Sequence, residues 1–385
     1  MSLQGEMKEI TVDEICTLEK NVLLIDLRSK IAFDHGHIPG AISFSELFKN
    51  NVDINTKIKE LEEIISDSLC QSVVLYCNIG ERSKRIVEEL QQTGMDAYNL
   101  QGGYRKWLIQ NTDVFSREER EQYSRQMVLP QIGQVGQEKL RAANVLVIGA
   151  GALGTVALTY LASAGVGTIG IVEGDVIERS NLHRQTLYDA SNLGRKKVDV
   201  AKERLELMNA FINIISYDVF ATPENINGLI KDYDFVIDAT DHIETKFLIN
   251  DACVLAKVPF CHAGILAFEG QVMTWVPGDY PCYRCIFEDI PEDYVPNCAE
   301  AGIIGAMSGM IGSVQALEAI KYITSAGELL VGKMFHMDGT NMTTRIIPFE
   351  KKNIRCKVCG ENREITDVSE YGMGYQKKDC AIMHG

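Results

Sequence analysis

Short apolar runs alternate with amphipathic stretches over the first hundred residues. Residues 22–25 (Val-Leu-Leu-Ile) and 73–76 (Val-Val-Leu-Tyr) are unbroken apolar runs of strand length, the pattern of parallel strands covered on both faces. Residues 84–93 carry helical spacing. The pattern predicts a compact α/β unit over residues 8–109, a usual domain size. Residues 110–115 (Gln-Asn-Thr-Asp-Val-Phe) then read as a polar linker. Ser116 with Glu119 has the spacing of a capping box, which opens a new helix. Residues 144–148, 168–172 and 235–239 are further buried-strand runs with helical segments between them. A second α/β domain with a mostly parallel sheet is expected there. Residues 361–385 are polar and contain glycine, which predicts an extended or disordered tail. No internal repeat is found.

Composition narrows the class. The chain has 385 residues, 46% hydrophobic and 24% charged, with material for two or three cores. A net charge of −15 argues against sequence-independent nucleic-acid binding, which needs a basic surface. It does not argue against ATP, since a phosphate site needs only a few placed cations. The start, Met1-Ser2-Leu3-Gln4-Gly5, has no basic segment followed by an apolar run, and no apolar stretch reaches membrane length. Eleven cysteines in such a chain predict catalytic, metal-binding or buried thiols in the cytoplasm, not disulfides.

The first chemical motif is Cys77-Asn78-Ile79-Gly80-Glu81-Arg82-Ser83, between a buried strand and a helix starting near Ser83. A loop there turns backbone N–H groups inward at the positive end of the helix. That setting lowers a thiol pKa and stabilises negative charge on sulfur. Arg82 adds a fixed cation, and Glu81 an opposing charge. Four residues separate Cys77 from Arg82, one fewer than in the Cys-x5-Arg loops of phosphatases. The tighter cradle suits a persulfide. With Asp26-Leu27-Arg28, Phe33-Asp34-His35-Gly36-His37-Ile38-Pro39-Gly40 and Gly102-Gly103-Tyr104-Arg105-Lys106-Trp107, the segment resembles rhodanese domains. The resemblance spans nearly all of residues 1–110. It implies that Cys77 carries a persulfide beside Arg82, while Asp26 and Arg28 serve the scaffold.

The second motif is Gly149-Ala150-Gly151-Ala152-Leu153-Gly154, directly after a strand and opening an apolar helix that runs to about Ala164. Glycines at these places let the backbone approach phosphate at a helix N-terminus. Alone the turn does not separate NAD from ATP. Glu173, 19 residues beyond Gly154 at the next strand end, is placed to hold ribose hydroxyls. The polar run from Asp175 through Asn181, Arg184 and Gln185, with Lys197 thirteen residues beyond Arg184, favours ATP. Attack at an α-phosphate needs several cations along the triphosphate, which hydride transfer does not. Asp241 closes Asp238-Ala239-Thr240-Asp241 at another strand end, where a carboxylate can hold Mg²⁺.

This zone resembles the bacterial branch of the ubiquitin-activating-like family, the MoeB/ThiF type. The stretches that carry the resemblance are Tyr123-Ser124-Arg125-Gln126, the glycine turn, Ser180-Asn181-Leu182-His183-Arg184-Gln185 and Ala239-Thr240-Asp241. Further on come Glu269-Gly270-Gln271-Val272, Pro281-Cys282-Tyr283-Arg284-Cys285, Cys298-Ala299-Glu300-Ala301-Gly302 and residues 312–321. They cover residues 121–360, so the chain divides as 1–110 rhodanese domain, 111–120 linker and helix start, 121–360 adenylyltransferase domain and 361–385 tail. The resemblance implies a Rossmann-like ATP site in which Gly149, Gly151, Ala152, Gly154, Glu173, Asn181, Arg184, Lys197 and Asp241 bind ATP or its metal. It also implies that Arg125 reaches into the site of a partner subunit, hence a homodimer. Family members usually carry Asp at Glu173, often Gly at Ala152, and commonly Gln at His183.

Cys282-x-x-Cys285 and Cys356-x-x-Cys359 form a 2+2 thiolate set suited to closed tetrahedral Zn²⁺. The 70 residues between the pairs would make the metal a clamp on distant segments. In relatives a cysteine at Cys298 can become linked to the carrier, and both an acceptor thiol and a bystander remain open for it. Cys16, Cys70, Cys253 and Cys261 sit in apolar surroundings and read as core; Cys380 is unassigned.

The implied reaction is ATP-dependent adenylylation of the C-terminal Gly-Gly carboxylate of a small ubiquitin-like sulfur carrier. Sulfur is then transferred from a Cys77 persulfide loaded by a cysteine desulfurase or a small donor, forming a thiocarboxylate. Arg125, Arg184, Lys197 and Asp241 serve activation, and Cys298 or another thiol releases the product. Carriers of molybdopterin and thiazole synthesis are the first candidates; cysteine and tRNA-thiolation carriers stay open. Better-known fusions place the rhodanese domain last, whereas here it comes first. Residues 365–371 resemble the linker of those fusions. A nicotinamide-dependent oxidoreductase and a non-catalytic carrier and desulfurase scaffold are the rival readings. No nucleic acid or membrane partner is expected.

Overall fold

The computed structural model describes residues 8–15, 22–34, 36–44, 59, 61–65, 70, 72–111, 114–288, 302–349 and 351–375. Two compact units divide the chain, Met1–Glu138 and Lys139–Gly385.

In the first unit β1 (Glu9–Ile10), β2 (Val22–Asp26), β3 (Ile42–Ser43), β4 (Ser72–Tyr76) and β5 (Ala97–Leu100) form a sheet in the order β1-β5-β4-β2-β3, every neighbouring pair parallel. Along β4 the side chains alternate between two cores. Val73 and Leu75 pack with Ile86, Val87 and Leu90, while Val74 and Tyr76 pack with Tyr104 and Leu108. A strand buried on both faces has no polar positions to spare, which is why it reads as an unbroken apolar run. Helix α1 (Val12–Ile15) and α2 (Lys30–Asp34) precede α3 (Glu81–Gln92), which starts two residues before Ser83. Gly80 at its N-cap has φ 91, a left-handed conformation that lets the chain turn sharply from the Cys77 loop into the helix.

After α4 (Gly103–Asn111), Ser116 and Glu119 form the expected capping box: Glu119 N–H donates to Ser116 Oγ at 3.2 Å and Ser116 N–H to Glu119 Oε2 at 2.8 Å. The helix they open, α5 (Arg117–Met127), lies in the first unit. Its Tyr123 and Met127 share a core with Leu108 of α4.

The second unit begins within α6 (Gly133–Ala142). Its strands are β6 (Asn144–Ile148), β7 (Thr168–Val172), β8 (Asn213–Tyr217), β9 (Phe235–Asp238), β10 (Phe260–Leu266), β11 (Glu269–Trp275), β12 (Lys333–Asp338) and β13 (Thr343–Pro348). They pair in the order β13-β12-β11-β10-β9-β6-β7-β8. From β8 to β10 all pairs are parallel; from β10 to β13 all are antiparallel. The antiparallel wing departs from the expected mostly parallel sheet for a local reason. Only Ala267 and Phe268 join β10 to β11, too few for a crossover, and Ala267 takes φ 51 to make the hairpin.

Helices α7 (Ala152–Ala164), α8 (Lys197–Met208), α9 (Ile226–Ile230), α10 (Ile243–Ala256), α11 (Tyr283–Phe287) and α12 (Gly305–Thr324) complete the unit. One core holds Val145, Val147, Ile169, Ile171, Phe235 and Ile237; the other holds Leu146, Ile148, Val236, Phe247 and Phe260. Each such side chain contributes about 1.5–3 kcal/mol on burial. Strand order reverses about β6, so a crevice opens at the carboxyl ends of β6 and β9.

The expected extended tail differs in its first part. Ile365, Val368 and Tyr375 are buried in the second core, and Tyr375 O–H donates to Asp251 Oδ2 at 2.8 Å. A few spaced apolar anchors suffice to dock a segment whose composition is polar. Residues 376–385, with Cys380, lie outside the described residues. Among the described residues no helix is long and apolar enough to cross a membrane.

Candidate functional site

The crevice is a cavity of about 740 Å³, lined by Gly149, Gly151, Ala152, Glu173, Asn181, Arg184, Lys197 and Asp241 among others. Gly154 does not line it. A Cβ there would stand 1.9 Å from Gly149 O, so this glycine lets α7 pack against the turn. Gly149, at φ +97, lies against the next turn: its Cβ would meet Ala239 O at 2.8 Å.

Glu173, Arg184 and Lys197 are held from behind. Glu173 accepts the Ala150 N–H at Oε2 and the Asp175 N–H at Oε1, both at 2.9 Å, so it ties the glycine turn to the loop after β7. Arg184 donates from NH1 to Ser180 O at 2.8 Å, and the same nitrogen lies 2.8 Å from His183 Nε2. Lys197, at the first position of α8, is buried and pairs with Asp175 at 2.9 Å. Asn181 Oδ1 accepts the Glu178 N–H at 3.0 Å, closing the turn that carries Arg184. Arg184, Lys197, Lys246 and the N-termini of α7 and α8 line one crevice together with the acids Glu173, Asp175, Glu178, Asp241 and Glu269, so it offers groups for phosphate oxygens and carboxylates for a metal ion. Arg125 lies exposed in the last turn of α5, in the first unit.

Several lining residues carried no site signal in the sequence. Lys246 and His262 look like members of an apolar helix and an apolar strand, yet both border the cavity beside Asp238. Phe220, 61% exposed, also lines it and lies over Gly174, where an added Cβ would stand 2.8 Å from the ring.

In the first unit Cys77 is 6% exposed at the end of β4. Burial pushes its thiol up. Hydrogen bonds from the Ser83 hydroxyl and from the N–H groups of Ser83, Ile79 and Arg82 outweigh burial and hold it below the ordinary thiol value. The Ser83 hydroxyl lies 3.5 Å from Cys77 Sγ, 3.1 Å from Gly80 O and 2.7 Å from Asn99 Oδ1. Arg82 is exposed, with NH1 3.4 Å from Leu27 O. Behind the loop Tyr104 N–H donates to Cys77 O at 2.8 Å and Arg105 N–H to Asn78 O at 3.0 Å, so the start of α4 holds the loop carbonyls. Arg28 binds Asp26 through Nε and NH2, reaches Gly36 O at 2.6 Å and lies 3.6 Å from the Tyr104 ring centre.

The Sγ atoms of Cys282, Cys285, Cys356 and Cys359 lie within 4.8 Å of one another. Contacts of 3.8, 3.7, 3.5 and 3.3 Å run among them. Sulfurs about 2.3 Å from a tetrahedral metal stand about 3.8 Å apart, so the donor set fits Zn²⁺. Cys253 and Cys261 are buried and pushed well up by burial, as inert core thiols are. Cys70 is half-buried; Cys16 and Cys298 lie outside the described residues.

The ThiF family matches residues 123–358, across the glycine turn, the cationic loop and the thiolate cluster. The chain belongs to the ThiF family. A rhodanese-like domain matches residues 14–110, around the Cys77 loop. The chain is 37% identical over 321 residues to the adenylyltransferase and sulfurtransferase MOCS3 of Aedes aegypti, spanning 83% of this chain and 69% of that protein. It is 41% identical over 266 residues to a sulfur carrier protein adenylyltransferase of Thermus thermophilus, spanning 67% of this chain and 98% of that one. The solved structure of E. coli MccB shares the fold, with a TM-score of 0.59 and 20% identity over 83% of this chain and 87% of that one. In this ThiF-family chain a rhodanese-like domain therefore precedes the nucleotide crevice.

Proposed function

We propose that this chain uses ATP to adenylylate the C-terminal carboxylate of a small ubiquitin-like sulfur carrier, and that Cys77 then supplies the sulfur. The observation that carries the reading is the convergence of Arg184, Lys197 and Asp241 on one cavity at the glycine turn. Arg184 and Lys197 suit the charge of a triphosphate, and Asp241 is placed to hold its Mg²⁺, which a hydride-transfer site does not need.

The carrier carboxylate attacks the α-phosphorus, and pyrophosphate leaves. Arg184 and Lys197 offset the charge that builds on the phosphate oxygens. Glu173 holds the turn against the ribose end, and Asn181 fixes the loop that presents Arg184. Asp241 would hold Mg²⁺, which neutralises triphosphate charge. Arg125 of a second copy would complete the cation set, making the enzyme a homodimer. The acyl-adenylate is then open to the Cys77 persulfide. Its terminal sulfur bonds to the acyl carbon, AMP leaves, and an acyl disulfide to Cys77 results. A thiol, Cys298 or an external one, attacks Cys77 Sγ, forms a disulfide with it and releases the carrier thiocarboxylate. An external thiol reductant resets the pair. A cysteine desulfurase or a small sulfane donor reloads Cys77, with Arg82 beside the loop. Zn²⁺ held by Cys282, Cys285, Cys356 and Cys359 is structural.

The test incubates the enzyme with candidate molybdopterin and thiazole carriers, ATP, Mg²⁺, dithiothreitol and thiosulfate, then weighs the carrier. A gain of one sulfur in place of oxygen is expected with the true carrier. Cys77→Ala should activate the carrier without sulfurating it. Carrier-dependent ATP–pyrophosphate exchange that survives both Arg184→Ala and Asp241→Ala would sink the reading.

A further inference from the structure

Asp241 is presented to the cavity by its backbone rather than by partners of its own. Its side chain is 56% exposed, and the His242 ring lies 3.8 Å from it. The segment beneath it, by contrast, is held by several hydrogen bonds. Asp238 is 1% exposed, and its Oδ1 accepts from both the Thr240 N–H at 3.0 Å and the Thr240 hydroxyl at 2.7 Å. Its Oδ2 accepts from His262 Nδ1 at 2.7 Å and lies 3.5 Å from Lys246 Nζ. Its backbone oxygen accepts from Gln315 Nε2 at 2.7 Å. Lys246 is itself tied to Ala263 O at 2.8 Å. The His262 ring packs on Tyr283, centres 4.3 Å apart, and Tyr283 lies between the metal-cluster residue Cys282 and Arg284 on α11.

We infer that Asp238, held from below by His262 and Lys246, is a positioning residue: through Thr240 it fixes the turn that aims Asp241, and so sets how strongly ATP and Mg²⁺ bind together. This rests on the reading of Asp241 as the metal-holding acid. A buried carboxylate is costly without partners, and here they come from the turn after β9, from β10 and from α10, while Gln315 of α12 holds the backbone oxygen of the same residue. That cost is justified in a position where the backbone must not move, because an ångström of drift at a reacting group costs about a hundredfold in rate. Among the described residues His262 Nε2 is buried with no hydrogen-bond partner, and the ring serves Asp238 through its other nitrogen.

The coupling can be read without a carrier, as the ratio of ATP dissociation constants measured by calorimetry in EDTA and in excess Mg²⁺. Wild type should bind ATP several-fold more tightly with Mg²⁺. Thr240→Val, which removes one hydroxyl, should cut that ratio at least threefold while ATP affinity in EDTA changes less than twofold. Thr240→Ser should restore it, and Asp238→Ala should lower it further if the variant folds. Asp241→Ala should abolish the ratio. A wild-type ratio in Thr240→Val, with the ratio lost in Asp241→Ala, would overturn the positioning role alone. A wild-type ratio in Asp241→Ala would overturn both this and the reading beneath it.

Discussion

Gly103 sits against Cys77 so closely that a Cβ built on it would stand 2.3 Å from the Cys77 carbonyl oxygen. Its φ of +58 is also left-handed, which costs an ordinary residue about 1–2 kcal/mol. The contact is backbone to backbone, so no side chain can yield. Gly103→Ala should therefore displace the cradle that holds the sulfur anion. Sulfur transfer from thiosulfate should fall more than tenfold, while ATP binding by the second unit stays within twofold. Full sulfur transfer in the variant would mean that the loop has slack the geometry does not reveal.

The cradle lowers the Cys77 thiol against the effect of burial, and Ser83 is the largest favourable contributor. Thiolate is the reactive form, so reactivity rises with pH through the pKa and levels above it. Iodoacetamide labelling of Cys77, followed on its peptide by mass spectrometry, should reach half its plateau below the ordinary thiol range near pH 8.5. Ser83→Ala should move that midpoint up, because it removes a hydrogen bond to the charged sulfur. An unmoved midpoint would assign the effect to the backbone N–H groups alone.

Much of this was legible in the sequence because the signals are local. An unbroken apolar run such as residues 73–76 reports burial on both faces, and Ser116 with Glu119 reports a helix start, with no tertiary knowledge needed. That the glycine turn, Arg184, Lys197 and Asp241 would gather at one cavity was legible because the carboxyl ends of parallel strands bring such residues together. What was hidden depends on contacts between distant residues. His262 and Lys246 sit in apolar elements, and only the register that places His262 beside Asp238 brings them to the cavity. The docking of residues 361–375 was hidden in the same way, since Ile365, Val368 and Tyr375 find their pockets on α10 and its neighbours. The antiparallel wing turns on a two-residue connection that the apolar pattern does not distinguish from a longer one.

The four-thiolate cluster joins α11 to the segment after β13, so a bound metal should act as a staple. Elemental analysis of protein purified without chelator should give one zinc per chain. Cys356→Ser should lose it and lower the unfolding temperature by about 10 °C, the equivalent of a few kcal/mol for a unit of this size. Full zinc content in Cys356→Ser would exclude that residue as a ligand.

His262 should make the second unit acid-sensitive. Burial, helped by the nearby charge of Lys246, lowers its pKa to about 4, although Asp238 pulls the other way. The folded value thus lies below the unfolded one of about 6.5. Between these values the unfolded chain takes up a proton that the native protein refuses. Stability is therefore full above pH 6.5 and falls as pH drops towards 4, by at most about 1.4 kcal/mol per pH unit. Asp238, kept below the usual carboxylate range by Lys246 and His262 in spite of its burial, adds a loss in the same direction at lower pH. His262→Gln removes the titrating ring, so its unfolding midpoint should start lower at pH 7 yet decline less steeply between pH 6.5 and 4.5. Urea melts followed by tryptophan fluorescence, with Trp107→Phe in the background so that Trp275 alone reports, would give both slopes. Parallel slopes would mean that His262 keeps its proton balance on folding and that the acid sensitivity arises elsewhere.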